Sequence, residues 1–566
     1  MRFQPPNTTT GVELVTGCFT CHTVDLVIPA KGFDFKFQRW HRSDAILNNA
    51  FQFGWQYDWD ERLTFDAYDG SVRYWGPAFR MSRFIRNQDE TFTPAAPWID
   101  STLELLPDGR YRLTLKNQEK RFFSGTTGRL LQRVDPSGNT QSFAWGGPWL
   151  EQIEDASGRI VTVSNSPGPE NTTTTVTDWM GRTLTYERKH PSHMGFLTRY
   201  IDPEGIATDY TIDTQDGPDS PRFMGVESIT YANGLWLTNY PVSDMSPQTT
   251  VVGRQVFGNG LVVEYHYDQA ARRTSVQEGD RVTLHEWDAE GNIVQRTDPL
   301  GNVWTSQYND QKLVTRVTDP NLATVNNTYD SRGNLLTRED QKGNVWTWEY
   351  DPTFNKVTSL TGPAPDHNQT LFAYDQTSGL LLTRTDPLQK TTTYEYHPDG
   401  LLKKVTPPGT NPATTEFTYD LHGNLVEVRN GLGQVTTFEY DQVGNQVAVV
   451  DALGHRSTRE YDLLNRPTLV RTPLGNTTRM AYDGNGNLMT VTDPLNRGTR
   501  FEFDNLNQLT RVVDPAGGAV SYSCDLFGNL LRQVDPNGHA YEFGHDDLDR
   551  QVRTVDPMGQ VTTVEH

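Results

Sequence analysis

The feature that most constrains this chain is a spacing. An aromatic residue followed by Asp, or by a close substitute, recurs at Tyr267-Asp268, Trp287-Asp288, Tyr308-Asn309, Tyr329-Asp330, Tyr350-Asp351, Tyr374-Asp375, Tyr396-His397, Tyr419-Asp420, Tyr440-Asp441, Tyr461-Asp462, Tyr482-Asp483 and Phe503-Asp504. Cys524-Asp525 and His545-Asp546 keep the register without the aromatic. The intervals are 20, 21, 21, 21, 24, 22, 23 and then 21 six times. A fixed period of this size marks a tandem architecture in which each unit buries its apolar face against its neighbours. The extra residues gather at 361–369 and 407–412, which read as lengthened loops.

A second marker falls between the first ones. Asp298-Pro299-Leu300-Gly301, Asp514-Pro515-Ala516-Gly517, Asp535-Pro536-Asn537-Gly538 and Asp556-Pro557-Met558-Gly559 are turn sequences, with shorter Asp-Pro versions at Asp319, Asp386 and Asp493. Asp accepts backbone hydrogen bonds at the first turn position, Pro presets φ at the second, and Gly tolerates positive φ. The aromatic-Asp dyad is followed by Gly-Asn in the same way, as at Gly333-Asn334 and Gly444-Asn445. One unit is therefore strand, turn, strand, turn, which leaves about eight residues for each strand.

The returning strand alternates with period two, as in Trp348-Glu349-Tyr350, Tyr394-Glu395-Tyr396, Phe438-Glu439-Tyr440, Phe501-Glu502-Phe503 and Tyr541-Glu542-Phe543. Aromatics take one face, where they pack, and Glu takes the other. The outgoing strands carry Arg296, Arg316, Arg338, Arg384, Arg429, Arg471, Arg511, Arg532 and Arg553 at similar register. Glu and Arg are expected to alternate across neighbouring strands, each pair worth under about 1 kcal/mol. Fourteen units supply nearly thirty strands. Sheets twist by about 20° per strand and rarely stay open beyond about ten, so this one must wrap, spiral or close. The fold class is all-β. Which face lines an enclosed space is open; Glu inward would give an acidic wall suited to a basic cargo.

Composition limits the partners. The 566 residues carry a formal net charge of −21, which argues against nucleic acid or anionic lipid as a general partner. A hydrophobic content of 35% would suit a disordered chain, but 11% aromatic residues would not. No apolar run is long enough to cross a membrane as a helix, and the start lacks the apolar core of a secretory signal.

The string Gly-Asn-Leu-Leu-x-Arg-x-x-Asp-Pro-x-Gly, closely matched by GNLLRQVDPNG over Gly528–Gly538, resembles the YD repeat of the Rhs family, related to teneurins and bacterial wall-associated proteins. The front of the chain is similar to the segment that opens the Rhs core: Val15-Thr16-Gly17, Asp25-Leu26-Val27-Ile28-Pro29, Phe37-Gln38-Arg39-Trp40, Phe53-Gly54-Trp55 and Asp60-Glu61-Arg62-Leu63. Weaker units follow at Gly128–Gly138, Gly181–Tyr186 and Gly195–Tyr210. The resulting division is an Rhs-opening β domain over 1–122, degenerate repeats over 123–264 and regular repeats over 265–566. The resemblance implies hairpins spiralling into a hollow shell around a C-terminal toxin. It also implies a secretion spike or surface machinery as partner, and delivery outside the producing cell by a non-Sec route or through a missing segment. The plug and toxin of the family are not recognisable, so the chain reads as a fragment of a larger polymorphic toxin.

No catalytic, cofactor or metal site is expected. Asp535 and Asp556 sit in repeat register as turns, not as the paired acids of a self-cleavage site. Cys18-Phe19-Thr20-Cys21-His22 matches a haem-attachment pattern. A strand is expected there, which puts Cys18 and Cys21 on opposite faces about 10 Å apart. His190-Pro191-Ser192-His193 lacks a helical setting for metal. The expected function is a non-catalytic, toxin-enclosing shell used in interbacterial competition. The alternative is an adhesive YD-repeat surface binding glycan or protein, with the irregular stretch 220–260 able to serve either.

Overall fold

The structure, a computed structural model, describes residues 8–14, 16, 18–43, 55–168, 171–189, 196–212, 226–232, 234, 236–242 and 251–565. Val15, Gly17, Phe53, Gly54, the His190–His193 stretch and much of 220–260 lie outside the described residues.

Eight strands open the chain. β1 (Thr8–Val12), β2 (Phe19–Ile28), β3 (Phe35–Arg42) and β4 (Trp55–Tyr57) form one antiparallel sheet in that order. β5 (Arg62–Phe65), β6 (Val72–Trp75), β7 (Met81–Arg86) and β8 (Phe92–Pro94) form a second. From β9 (Thr102–Leu105) through β51 (Val561–Thr563) the chain is one sheet of 43 strands in sequence order, each pair antiparallel. The architecture is all-β, and the first strands of this strip precede residue 123. The stretch expected to be irregular supplies ordinary members of the strip at Val226–Thr230, Trp236–Val242 and Val251–Phe257.

The repeat hairpins carry a device that the spacing alone does not announce. From Trp287 onward the register shifts by one residue beside the dyad position, for example between Glu349 and Tyr350, where Tyr350 faces Val357 but Glu349 faces Ser359; the first dyad, Tyr267-Asp268, pairs without a shift. The same shift stands at Glu439/Tyr440, Glu460/Tyr461 and Ala481/Tyr482, while the hairpins between them, turning at Asp451 and Thr472, keep plain register. A bulge bends its strand and increases the local twist. Repeated on one side of each of these units, it curls the strip the same way each time.

The strip winds onto itself. Asn139 donates to the Asp399 carbonyl 260 residues on, Ser157 Oγ meets His422 Nδ1 265 residues on, and Trp179 Nε1 donates to the Gln442 carbonyl 263 residues on. Further along, Asn259 donates to the Leu526 carbonyl and Arg281 pairs with Asp549 at 2.7 Å. In each case an Asp-Pro-type edge of the first coil meets a dyad-turn edge of the second. At this offset one coil takes about 23 strands, hence a circumference of roughly 110 Å and a diameter of roughly 35 Å.

The core sits inside the first coil. Side chains of the two opening sheets, among them Phe19, Ile28, Phe35, Trp55 and Phe84, join one cluster with strip residues from Leu113 through Leu150, Val176, Tyr210 and Leu237 to Val276. Those strip residues span about fifteen strands, an arc of roughly 70 Å, and a body of about ninety residues can touch such an arc only from its concave side. The face that meets the opening sheets is therefore the inward face. A buried hub pins the contact: Arg39 donates to both Asp25 oxygens at 2.7 and 2.8 Å and to the Tyr210 hydroxyl at 3.1 Å, while Tyr186 donates to Asp25 at 2.9 Å. The Arg39 guanidinium lies 4.6 Å from the Tyr200 ring centre.

Candidate functional site

The repeat markers build the wall, and each has a definite contact. In the dyad turns Asp330 Oδ1 accepts the N–H groups of Arg332 and Asn334 at 2.9 and 2.8 Å, and Oδ2 accepts Asn334 Nδ2 at 2.9 Å. Asp420, Asp441 and Asp483 repeat the arrangement with Asn424, Asn445 and Asn487. Asp351 takes Thr353 and Phe354, and Asp462 takes Leu464 and Arg466. The Asp-Pro turns are the same device: Asp298, Asp514, Asp535 and Asp556 each accept the N–H groups two and four residues on. Pro299, Pro515, Pro536 and Pro557 follow them, and Gly301, Gly517, Gly538 and Gly559 close them at φ of 82°, 90°, 85° and 79°. The dyad tyrosines tie neighbouring strands, with the hydroxyls of Tyr329, Tyr350, Tyr461 and Tyr482 each donating to a carbonyl fifteen residues back at 2.9 Å. Tyr419 and Tyr440 hold the same half-buried position in their strands.

Directly opposed residues in an antiparallel pair share a face, so the inward face can be followed strand by strand from the core. Buried Thr274 faces His285, His285 faces Arg296, and Arg296 faces Trp304. Beyond it Ser306 faces Val317, Val317 faces Val325, Asn327 faces Arg338, and Arg338 faces Trp346. The aromatic row of the second coil, which includes Trp348, Phe372, Tyr394, Phe438 and Phe501, thus lines the concave side, half-buried. Glu349, Glu395, Glu439 and Glu542 are exposed on the convex side. An acidic inner wall is therefore not what the chain builds.

The regular Glu-Arg alternation is corrected as well. Arg296, Arg338 and Arg384 lie on the inward face, whereas Arg316, Arg429, Arg471, Arg511, Arg532 and Arg553 lie outward with the Glu row. Only part of that row pairs as expected: Glu502 stands opposite Arg511 at 3.8 Å and Glu542 opposite Arg532, but Glu349 faces Ser359. Glu439 binds Arg456 instead, which holds its carboxyl below the usual range.

Phe19-Thr20-Cys21-His22 of the cysteine motif opens β2, and Cys18 stands just before it. Cys18 and Cys21 are buried free thiols, and burial pushes the Cys21 thiol up to about 11. His22 turns away from them, stacks on Trp40 and meets Gln38 at 3.2 Å. Among the described residues no group of three or more His, Cys, Asp or Glu side chains is arranged to hold a metal, and no helix is long and apolar enough to cross a membrane. A cavity of about 510 Å³ lies where β2 and β3 meet both coils, bordered by Asp25, Arg39, Tyr200 and Asn465. Asp25 and Arg39 satisfy each other within the buried hub, Asp202 accepts the N–H groups of Glu204 and Ile206, and Arg466 pairs with Asp462.

Comparison with known proteins agrees with this architecture. The family description RHS Repeat matches residues 419–456, 461–497, 482–519 and 525–561, and Teneurin YD-shell matches 251–411. The chain belongs to the Rhs/YD-repeat family. Ahead of its YD repeats, residues 9–84 match a domain of unknown function, DUF6531, which covers the first sheet and reaches β7 of the second. No curated protein matches the sequence. Among solved structures the YD-repeat chain is similar to the crystal structure of TcdB2-TccC3-TEV, at 12% identity, over 90% of this chain and 35% of that one, with a TM-score of 0.32. The Tc holotoxin pore of Photorhabdus luminescens with the mutation TccC3-D651A gives 11%, 96%, 34% and 0.29. The crystal structure of TcdB2-TccC3-Cdc42 gives 11%, 96%, 37% and 0.29. The chain spans about a third of the length of these structures.

Proposed function

We propose that this YD-repeat strip is the non-catalytic wall of a polymorphic-toxin shell, which encloses a toxin carried by a segment outside residues 1–566 and holds it until delivery. The observation that carries the reading is the seam between coils, in which the Asp-Pro edge of the first coil is hydrogen-bonded to the dyad-turn edge of the second around the circuit. A sheet wound this way leaves few free strand edges and can make a large wall from a chain of modest hydrophobic content. The opening sheets fill the concave side of one coil, and the inward residues of the next are only half-buried. Wall and cargo then work by exclusion: a polypeptide held inside meets neither substrate nor protease. Delivery by a secretion spike or surface machinery, export from the producing cell and a role in competition between bacteria go with this reading.

The test is co-expression with the coding segment that follows, then size exclusion and limited proteolysis. The downstream segment is expected to elute with the shell and to resist protease until the shell is unfolded. A segment that separates freely and is cleaved at the rate of the isolated polypeptide overturns the proposal and directs attention to glycan and cell-adhesion assays.

A further inference from the structure

Beyond the core formed with the opening sheets, the inward face of the strip has an unexpected charge for a chain of net −21. Among the described residues, the ladder-paired positions that continue this face from Arg296 to Thr554 include Arg296, Arg338, Arg384 and Arg459 and no Asp or Glu. Three of the arginines form a row. Arg296, Arg338 and Arg384 each stand two residues before the Asp of an Asp-Pro-type turn, on strands four apart, so they repeat at one height about every 19 Å. Each also faces an aromatic directly across the ladder: Arg296 faces Trp304, Arg338 faces Trp346 and Arg384 faces Phe372. The Arg296 guanidinium lies 5.1 Å from the Trp304 ring centre. The arginines are exposed and their aromatic partners half-buried, so the charged forks are open to whatever occupies the concave side.

We infer that this row of Arg-aromatic pairs is a cargo-binding track that takes acidic, extended polypeptide. The inference rests on the enclosure reading and adds the chemistry of what is enclosed. A planar guanidinium laid on an aromatic face presents paired donors to a carboxylate. The aromatic beside it offers stacking area to apolar side chains. Spacing of about 19 Å suits an extended chain, which covers that distance in about six residues. A folded cargo offers no such period. Acids carried on the convex face keep the outside from competing for the same ligand.

The test uses the full chain with 40-residue unstructured tails fused after His566, equal in length and apolar content but net acidic, neutral or basic. Protease digestion of each tail is timed, with far-UV circular dichroism to confirm the fold. The acidic tail is expected to be cut roughly tenfold more slowly than the basic one, a ratio that added salt and the triple variant R296Q/R338Q/R384Q both remove. Equal protection of all three tails leaves the enclosure standing and overturns the acidic track, as does better protection of the basic tail. If no tail is protected, the enclosure reading falls and the track falls with it. Because wild-type tails are compared with each other, the result does not depend on the variant folding. Preferential binding of a single-stranded oligonucleotide over the acidic peptide would also reject a polypeptide track.

Discussion

Asp60 lies buried in the opening sheets, where its carboxylate accepts the Tyr57 N–H at 2.9 Å. Desolvation raises its pKa to about 6, against the pull of that N–H and of Arg62 and Arg188. The folded state therefore binds a proton that the unfolded chain has lost between about pH 4 and pH 6, and stability falls as pH rises through that window. Asp60→Asn should flatten this part of the melting profile and stabilise the opening sheets at pH 7 by roughly 1–3 kcal/mol, read by thermal melts from pH 4 to 8. The turn carboxylates have the opposite sign. Asp546 is held at about 2: desolvation opposes, but the Arg550 side chain and the N–H groups of Arg550 and Leu548 prevail. Asp451, Asp493 and Asp535 are lowered by hydrogen bonds from within their own turns. That contribution is complete above the unfolded value and is lost as pH falls through the folded one. The repeats should hold their β-sheet signal in circular dichroism down to about pH 3 and lose it towards pH 2. Unfolding centred at the ordinary carboxylate value would reject this role for the turns.

One hairpin exposes the rule that the others follow. Leu322 closes its turn at φ of 64°, in the place where Gly301 and Gly343 close theirs at 82° and 77°, and its side chain is 81% exposed. A branched side chain in the left-handed region is strained and here buries almost nothing, so Leu322→Gly should stabilise the hairpin by about 0.5–1 kcal/mol in urea titration. Loss of stability on that change would mean that the side chain packs on a surface absent from these contacts. Such turns were legible in the sequence because they are local: Asp, Gly and Asn at fixed offsets determine their own backbone, and a 21-residue interval between them fixes two strands and no more. The faces of the arginines were not legible in the 21-residue interval, because they depend on a finer offset from the turn that follows. Arg338 and Arg429 occupy matching strands, yet Arg338 stands two residues before Asp340 and Arg429 one residue before Asn430. A one-residue offset flips a side chain to the other face of a sheet. The bulge beside Tyr350 and its counterparts was equally hidden, since it exists only relative to a partner strand.

At the scale of the molecule, inside and outside are decided by the opening sheets. Arg39 and Asp25 meet Tyr186 and Tyr210 across more than 160 residues, a contact that no interval in the sequence encodes. The repeat period required the strip to curl but left open which face it would curl towards; the cluster around Trp55 and Tyr210 settles that for the first coil, and the ladder carries it to the second. The coils are then held by groups that serve two turns at once. Arg182 is the clearest: its Nε donates to Asp178 at 2.7 Å within its own turn, and its Nη1 donates to the Leu463 carbonyl at 3.1 Å and to Asn465 Oδ1 at 2.8 Å in the next coil. The residue is 8% exposed and Asp178 is 7% exposed, so truncation leaves a carboxylate with little access to water. Arg182→Ala should cost about 2–4 kcal/mol, and Lys should not restore it, because one ammonium cannot span the carboxylate and both acceptors. The informative readout is local. If the seam holds the spiral closed, backbone amides at 178–182 and 462–466 should exchange faster in the variant while the hairpins at 509–534 keep their protection. Uniform acceleration along the strip would instead mean that the coils unfold as one unit, with the seam contributing no separate closure.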